Sequence, residues 1–303
     1  MRIGAMIGGR EDLEGLVART QELEAAGFDS VWMPNVFGLD AMGAFTVIGR
    51  ETERIELGTA VVPTYPRHPV TMAQQALTVQ AASGNRFALG IGLSHKFVIE
   101  DMWGMSFDRP ARHMRDYLEA LLPLLRGGEV NVENERYRIH ATYGVPGAEP
   151  PPVLLAAMAP RMLALAGSVA DGTSLWMTGP DTIESYIEPA LREASERAGR
   201  EQAPRIVAAF PIAVTDDPEA GRKAIGKMLR GYSPIPSYRA MLDREGAAEP
   251  EDVAILGDER TLDEALDRLE AMGVSDFSGS IMPVDPEAEG RTTAYLVSRL
   301  GRG

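Results

Sequence analysis

Histidines are the side chains of this sequence best suited to moving a proton near neutral pH, because their ordinary pKa is close to that pH. One of the four, His95, follows the apolar run Leu89–Gly92 and shares a short polar loop with Ser94. This placement suits a catalytic proton donor or acceptor, although a solvated hydrogen-bond partner would fit such a loop equally well. His113 lies among arginines at the start of an amphipathic segment, which indicates a surface or interface position.

The remaining side chains exclude several kinds of site. The sequence has no cysteine, so it offers no disulfide, thiolate metal ligand, iron–sulfur cluster or cysteine nucleophile. No two histidines have a metal-ligand spacing and no G-x-S-x-G motif occurs, so we expect neither a metal site nor a serine hydrolase. A net charge of −14 opposes binding to nucleic acid or to an anionic membrane. Any redox chemistry must therefore belong to a bound cofactor.

Eight short apolar segments alternate with longer amphipathic ones, and this alternation predicts parallel strands joined by helices. The fold class is α/β. We expect a (β/α)8 TIM barrel rather than an open sheet, because Gly8-Gly9-Arg10 does not match the G-x-G-x-x-G turn of dinucleotide-binding sheets. Gly27 and Gly273 each end a helix just before a strand, as recurring βα units require. The predicted strands are Arg2–Ile7, Ser30–Met33, Glu56–Val62, Arg86–Gly92, Val153–Ala157, Gly172–Met177, Ile206–Val214 and Asp276–Met282.

Two segments interrupt this alternation. Gly127–Pro152 has alternating apolar residues and a proline-rich end, which predicts a β-hairpin inserted before strand five. Gly231–Asp258 begins with prolines and has helical character, which predicts a helical excursion between strands seven and eight and a lid over the barrel mouth. The apolar run at the N-terminus is too short for a signal peptide or a membrane span, so we expect a single cytoplasmic domain over residues 1–303.

Functional residues of a TIM barrel lie on the loops that follow the strands, and two of these loops are distinctive. After the third strand, small residues lead through Ala60 and Val61 into a loop with two prolines, Tyr65 and an Arg-His pair. After the fifth strand, a helix begins at Pro160, with Arg161 next to it. A helix N-terminus offers unpaired N–H groups and the positive end of a dipole, so this second loop suits an anion.

These segments, in this order, resemble the bacterial luciferase-like monooxygenase superfamily, in particular its branch of coenzyme F420-dependent oxidoreductases, which includes methylenetetrahydromethanopterin reductase. The resemblance implies a TIM barrel, coenzyme F420 rather than FMN as cofactor, a small-molecule substrate and a homodimer. It extends over nearly the whole chain and is carried by Gly27–Trp32, Leu57–Pro69, Arg86–Gly92, Pro152–Arg161 and Ala170–Gly172.

The resemblance also implies which residues contact the cofactor. The Ala60–Val61 bond matches a cis peptide that is pressed against the cofactor ring in this family. The loop ending in Ala159-Pro160 matches a phosphate-binding loop, with Ala159 in place of the usual glycine, and Thr178-Gly179 matches a second contacting turn. The implied cofactor contacts are Asn35, Thr59, Ala60, Val61, Gly92, Ser94, Ala157, Met158, Ala159, Pro160, Arg161, Thr178 and Gly179.

Two departures from the F420-dependent sugar-phosphate dehydrogenases of this family bear on the substrate. Asn35 replaces their histidine base, Pro180 replaces their phosphate-binding lysine, and His95 aligns with their proposed acid. Because an amide cannot act as a base, the resemblance favours reduction of a small organic acceptor, with His95 and Asn35 as candidate catalytic residues. The alternatives are an FMN-dependent two-component monooxygenase and a non-catalytic flavin-binding barrel. A cavity at the mouth, bounded by Asn35, Tyr65, His95 and the excursion, would favour catalysis over binding alone.

Overall fold

A closed barrel of parallel strands forms the centre of the computed structural model, which describes residues 1–9 and 11–301. The strands in chain order are β1 (Arg2–Met6), β2 (Ser30–Met33), β3 (Glu56–Thr59), β4 (Val62–Pro63), β5 (Phe87–Gly92), β6 (Gly128–Glu133), β7 (Arg138–Tyr143), β8 (Val153–Leu155), β9 (Gly172–Trp176), β10 (Arg205–Val214), β11 (Ile255–Gly257) and β12 (Asp276–Ile281). Around the barrel the order is β1, β2, β3, β5, β8, β9, β10 and β12, which pairs with β1 again. The predicted TIM barrel is confirmed.

Helices surround the barrel, and each barrel strand is followed by at least one of them. Gly27 (φ 97°) and Gly273 (φ 95°) both have the left-handed conformation that a helix end before a strand requires, as predicted. The helices are α1 (Leu13–Ala26), α2 (Ala41–Glu51), α3 (Pro69–Ser83), α4 (Pro110–Arg126), α5 (Pro160–Ser168), α6 (Pro180–Thr182), α7 (Glu188–Arg197), α8 (Pro218–Leu229), α9 (Pro236–Glu245), α10 (Glu259–Ala271) and α11 (Ala288–Arg299). Single π-helical turns occur at Val98–Met102 and Ile183–Ile187, and a 3-10 turn at Pro250–Val253.

Two predicted strands end two or more residues earlier than expected, both at the C-terminal end of the barrel. The third was predicted to reach Val62, but β3 stops at Thr59 and the chain rejoins β5 only at Val62–Pro63. The fifth was predicted to reach Ala157, but β8 stops at Leu155. The residues that follow Thr59 and Leu155 form the two loops that are distinctive in the sequence.

The barrel interior is filled in layers. At the N-terminal end, the Arg205 guanidinium lies 2.7 Å from the Asp276 carboxylate and 2.9 Å from that of Glu56. Above these ion pairs, the buried Trp32 indole crosses the barrel, and a Cβ on Gly58 would come within 2.3 Å of it. A glycine at position 58 is therefore what allows the indole to fill this layer.

Both predicted insertions are present. β6 and β7 pair antiparallel, from Gly128 opposite Tyr143 to Glu133 opposite Arg138, and form the predicted hairpin before β8. The excursion after β10 contains α9 and the 3-10 turn, and it ends in β11, a strand that we did not predict. β11 pairs with Ile212–Val214, where β10 extends beyond the barrel and would otherwise leave backbone groups unpaired. None of the helices in the described residues is long and apolar enough to cross a membrane.

Candidate active site

The candidate site is the C-terminal end of the barrel, where strand side chains point alternately inward and outward. A buried layer formed by Trp32, Ala88, Leu154 and Val207 closes the barrel below it. At the next inward-facing positions the side chains keep partial exposure, and these positions are Met6, Ala60, Ala156, Trp176 and Ser280. The small side chains of Ala60 and Ala156, which directly follow β3 and β8, leave space above the buried layer. We call this region the mouth.

The bulge after β3 forms one wall of the mouth. The Ala60–Val61 peptide bond is cis, as the resemblance implies, and both residues keep partial exposure. The Thr59 hydroxyl donates to the Gly90 carbonyl (2.8 Å) and accepts from the Gly90 N–H (2.9 Å). Because the Thr59 side chain is fully buried and both its hydrogen-bonding roles are used in the barrel wall, it positions the bulge between the two strands.

Two glycines of β5 make room for this bulge. A Cβ on Gly90 would lie 1.9 Å from the Thr59 carbonyl oxygen, which no side chain can tolerate. A Cβ on Gly92 would lie 2.5 Å from Val61 Cγ2 and 3.2 Å from the Ala156 Cβ. Gly92 is thus the point at which the bulge, β5 and the loop after β8 come together, and this contact joins three of the predicted cofactor segments.

The N-terminus of α5 presents unpaired donors beside the mouth. No described residue accepts a hydrogen bond from the backbone N–H of Met158, Ala159 or Arg161, and the Arg161 side chain is exposed. Ala159, which replaces the family's glycine, has φ −86° and ψ 151°, a conformation open to any residue. The buried Ala157 and the first helical residue, Pro160, hold this turn in place. The arrangement has the donor set and the charge to bind a phosphate or a carboxylate.

This loop is also tied to the excursion through Tyr186. The Tyr186 hydroxyl donates to the Met158 carbonyl oxygen over 3.1 Å, and the Arg244 guanidinium lies 4.0 Å from the centre of the Tyr186 ring. Arg244 belongs to α9, so a second cation lies near the uncapped helix N-terminus. The sequence analysis did not identify either residue.

His95 lies at the rim of the mouth, next to Ser94, whose φ of 60° turns the chain sharply after β5. The His95 ring stacks on Phe97, with ring centres 6.0 Å apart, and meets Tyr238 of α9 at 5.7 Å. Burial lowers the pKa of His95, so the neutral ring is favoured near pH 7. Among the described residues, none forms a hydrogen bond with its ring nitrogens, which leaves both nitrogens for a ligand.

Asn35 lies at the end of β2 and is half-buried. Its side-chain oxygen accepts a hydrogen bond from the Ala41 N–H over 2.9 Å, at the first turn of α2. The amide group is therefore oriented by the following helix, and its NH2 group remains as a donor. This geometry suits a residue that binds or orients a ligand, and it gives Asn35 no means of removing a proton.

Thr178 and Gly179 follow β9 but are covered by the excursion. Both residues are buried, and the Thr178 hydroxyl has no hydrogen-bond partner among the described residues. The Glu245 carboxylate accepts from the N–H groups of Asp181 (3.1 Å) and Thr182 (2.7 Å), and it leaves no room for a Cβ on Gly179. An internal carboxylate thus occupies the anion position of this second turn.

The half-buried Tyr65 and the buried His113 form a pair behind the bulge. Their rings stack with centres 4.1 Å apart, and His113 Nε2 lies 3.0 Å from the Thr64 hydroxyl. The expectation of a surface position for His113 is wrong, since only 4% of the residue is exposed. Burial raises the pKa of Tyr65 to about 12 and lowers that of His113 to about 4. The pair supports the loop after β3, because the Thr64 N–H also donates to the Gly92 carbonyl.

Helix α9 supplies the residues near the mouth that the sequence analysis did not single out. Tyr238, Met241 and Glu245 are spaced three and four residues apart, which places them on one face of the helix. Met241 is buried in the core, while Tyr238 contacts His95 and Glu245 contacts α6. This spacing is visible in the sequence. The residues that contact this face of α9 follow β5 and β9, however, so the spacing alone could not predict the contacts.

Comparison with known proteins places the chain in a family. The sequence model of the luciferase-like monooxygenase family matches residues 1–279. A candidate coenzyme F420-dependent oxidoreductase of Mycobacterium tuberculosis is 29% identical over 251 residues, which cover 77% of this chain and 72% of the relative. A 5,10-methylenetetrahydromethanopterin reductase of Methanolobus tindarius is 26% identical over 224 residues, which cover 74% of this chain and 68% of the relative.

The fold comparison agrees with the sequence comparison. The solved structure of the coenzyme F420-dependent tetrahydromethanopterin reductase of Methanopyrus kandleri matches with a TM-score of 0.83, over 98% of this chain and 97% of that one. At 21% identity this likeness shows a common fold. Since the family model matches most of its length, the chain belongs to the luciferase-like monooxygenase family, as the sequence resemblance implies, and it is similar to a relative named for coenzyme F420.

Proposed function

We propose that this protein is an oxidoreductase that transfers a hydride from reduced coenzyme F420 to a small organic acceptor. The observation that carries the proposal is the joining, at Gly92, of the bulge at Ala60–Val61 with the loop that leads to the uncapped N-terminus of α5. The bulge offers small apolar groups against which a ring can lie, and the helix offers donors for an anion. The name of the relative from Mycobacterium tuberculosis supports coenzyme F420 as the ligand.

The residues at the mouth fit such a cofactor. We assign its ring to the surface of Ala60 and Val61, which Gly92 supports from below, and its phosphate to the N–H groups of α5 with the Arg161 guanidinium. Reduced coenzyme F420, when bound, supplies the hydride. The acceptor gains that hydride at one atom of a double bond and a proton at the neighbouring atom, so the bond is reduced while the cofactor is oxidised.

His95 is the side chain to which we assign the handling of this proton. Its unpaired ring nitrogens face no competing protein group among the described residues, and its lowered pKa keeps the ring neutral near pH 7. A neutral imidazole can pass its N–H proton to a developing oxyanion while its other nitrogen takes up a proton from water, so water is the source of the proton. Asn35, held by the Ala41 N–H, has only its NH2 group to offer and is assigned a positioning role.

Parallel titration of the purified protein with coenzyme F420 and with FMN tests the proposal. We expect tighter binding of F420, and Arg161→Ala should weaken it by about tenfold or more, because hydrogen bonds to charged groups contribute about 1.5–3 kcal/mol. The matched control is Arg260→Ala, on the exposed face of α10, which should leave the affinity unchanged. Tight FMN binding without F420 binding would overturn the proposal and favour the two-component monooxygenase.

A binding-only flavin protein is the alternative from a different class. Two surface cavities have volumes of about 460 and 300 Å³. The larger lies beside Tyr186 and Arg192, and the smaller lies beside Thr215 and Asp285, in the loops that follow β10 and β12. Neither is the cavity expected over the mouth, so turnover has to decide between the two classes. Oxidation of reduced F420 that depends on an added acceptor would support catalysis. Binding of F420 without turnover of any conjugated ketone or imine would favour the binding-only protein.

A further inference from the structure

Five aromatic rings form a continuous arc along one side of the mouth. It runs from Phe97 to His95, Tyr238, Tyr232 and Trp176, and successive ring centres are 6.0, 5.7, 5.1 and 6.3 Å apart. The arc begins in the loop after β5, crosses on the excursion and ends at the inward-facing Trp176 of β9. It therefore spans the mouth above the end of β8, which lies between these two strands in the barrel.

The rings of this aromatic arc are only partly covered by protein. Phe97 is 49% exposed, and the other four residues of the arc keep partial exposure. Among the described residues, the His95 ring nitrogens and the Tyr238 hydroxyl form no hydrogen bond, and the buried Trp176 Nε1 has no partner either. Aromatic surface with a few unpaired polar atoms, next to a candidate reaction centre, is typical of a small-molecule subsite.

Three charged side chains beside the arc, Lys96, Arg239 and Glu245, are already bound by other protein groups. Lys96 lies 3.6 Å from the Glu100 carboxylate, and Arg239 lies 2.8 Å from that of Asp243. Glu245 is bound by the backbone of α6. A charged ligand would find no free counter-charge from these groups, whereas a planar uncharged one could stack on the rings and accept a hydrogen bond from His95 or Tyr238.

We propose that the aromatic arc is the acceptor subsite and that the acceptor is a planar, conjugated, uncharged molecule such as an aryl enone. This inference rests on the proposed function for the reaction and adds the substrate class. Trp176, Tyr232, Tyr238 and Phe97 bind the plane of the acceptor, and His95 and Tyr238 bind its carbonyl oxygen. The excursion is thereby assigned to substrate choice, since it contributes two of the five rings.

A pair of ligands that differ in planarity tests the subsite. Benzylideneacetone and its fully saturated cyclohexyl counterpart are titrated calorimetrically into the protein, with and without coenzyme F420. The planar ketone should bind about tenfold more tightly than the saturated one. Tyr238→Leu should weaken the planar ketone about threefold to tenfold, the range expected for loss of one stacking ring, and should leave the saturated ketone within about twofold. Tyr238→Phe should keep the preference for the planar ketone.

Two further variants distinguish loss of the subsite from loss of folding. Phe97→Leu changes an exposed ring of the arc and should lower the planar preference while leaving the thermal midpoint unchanged. Tyr143→Leu removes a half-exposed ring of the hairpin, outside the arc, and should keep the preference. Equal affinities for the two ketones, or equal losses in Tyr238→Leu and Tyr143→Leu, would overturn the subsite. If another acceptor still oxidises bound reduced F420 in that case, the proposed function stands and only the subsite fails. If the planar preference holds but F420 does not bind, the function fails and the arc stands only as a ligand-binding surface.

Discussion

Acidification should destabilise this protein through His113, the buried ring behind the bulge. Burial, with a smaller contribution from the Arg136 cation, lowers the pKa of His113 from 6.5 to about 4 in the folded state. The unfolded chain therefore binds a proton at a higher pH than the folded one. A group with a depressed folded pKa contributes stability above its unfolded pKa, here about 6.5, and loses it as the pH falls toward about 4.

The size of the effect follows from the width of that window. A shift of one pKa unit corresponds to about 1.4 kcal/mol, so the full window from 6.5 to about 4 is worth about 3 kcal/mol. Between about pH 7.5 and pH 5 the expected loss in the free energy of unfolding is about 2 kcal/mol. Protonation would also cost the hydrogen bond between His113 and Thr64, if the neutral ring accepts it, and so loosen the loop that supports the bulge.

Urea unfolding at these two pH values measures the effect, and two variants isolate it. His113→Gln keeps a hydrogen-bonding side chain near Thr64 but cannot titrate, so its loss on acidification should be about 2 kcal/mol smaller than that of the parent. His140→Gln removes an exposed histidine of the hairpin and should behave like the parent. If His113→Gln loses as much stability on acidification as the parent, the reasoning about His113 is refuted.

Two substitutions probe the geometry of the mouth. Gly92→Ala should lower the free energy of unfolding by about 1–3 kcal/mol and weaken cofactor binding, because its Cβ would lie 2.5 Å from Val61 Cγ2. An unchanged melting temperature together with an unchanged affinity for the cofactor would contradict this contact. Glu245→Ala should cost about 1 kcal/mol, because the N–H groups of Asp181 and Thr182 lose their acceptor, and should speed hydrogen exchange in α9. Unaltered exchange in α9 would show that Glu245 does not hold the excursion.

The barrel could be predicted from the sequence because each βα unit carries its own local signals. Apolar runs mark the strands, and Gly27 and Gly273 mark helix ends with the positive φ that these positions need. The hairpin was predictable from its alternation. β11 was not, because a three-residue strand has no periodicity and depends on the free edge that β10 offers beyond the barrel.

The candidate site was only partly predictable, and the reasons differ between residues. His113 was placed at the surface because of its arginine neighbours, yet His113, Tyr117, Leu121 and Leu124 share the buried face of α4, and that helical spacing was the better guide. The arc from His95 to Trp176 joins three distant segments, so no local pattern could reveal it. The contacts of the thirteen cofactor residues stay predictions that titration must test.

The central claim, transfer of a hydride to an organic acceptor, is tested most directly by following the transferred atom. Reduced coenzyme F420 carrying deuterium at the carbon that gives up the hydride is incubated with the protein and a panel of conjugated ketones and imines, and the products are analysed by mass spectrometry. The account predicts a reduced product that carries one deuterium per molecule and forms only when the protein is present. A product that instead gains an oxygen atom from molecular oxygen with reduced FMN, or binding of both ligands with the label left on the cofactor, would contradict it.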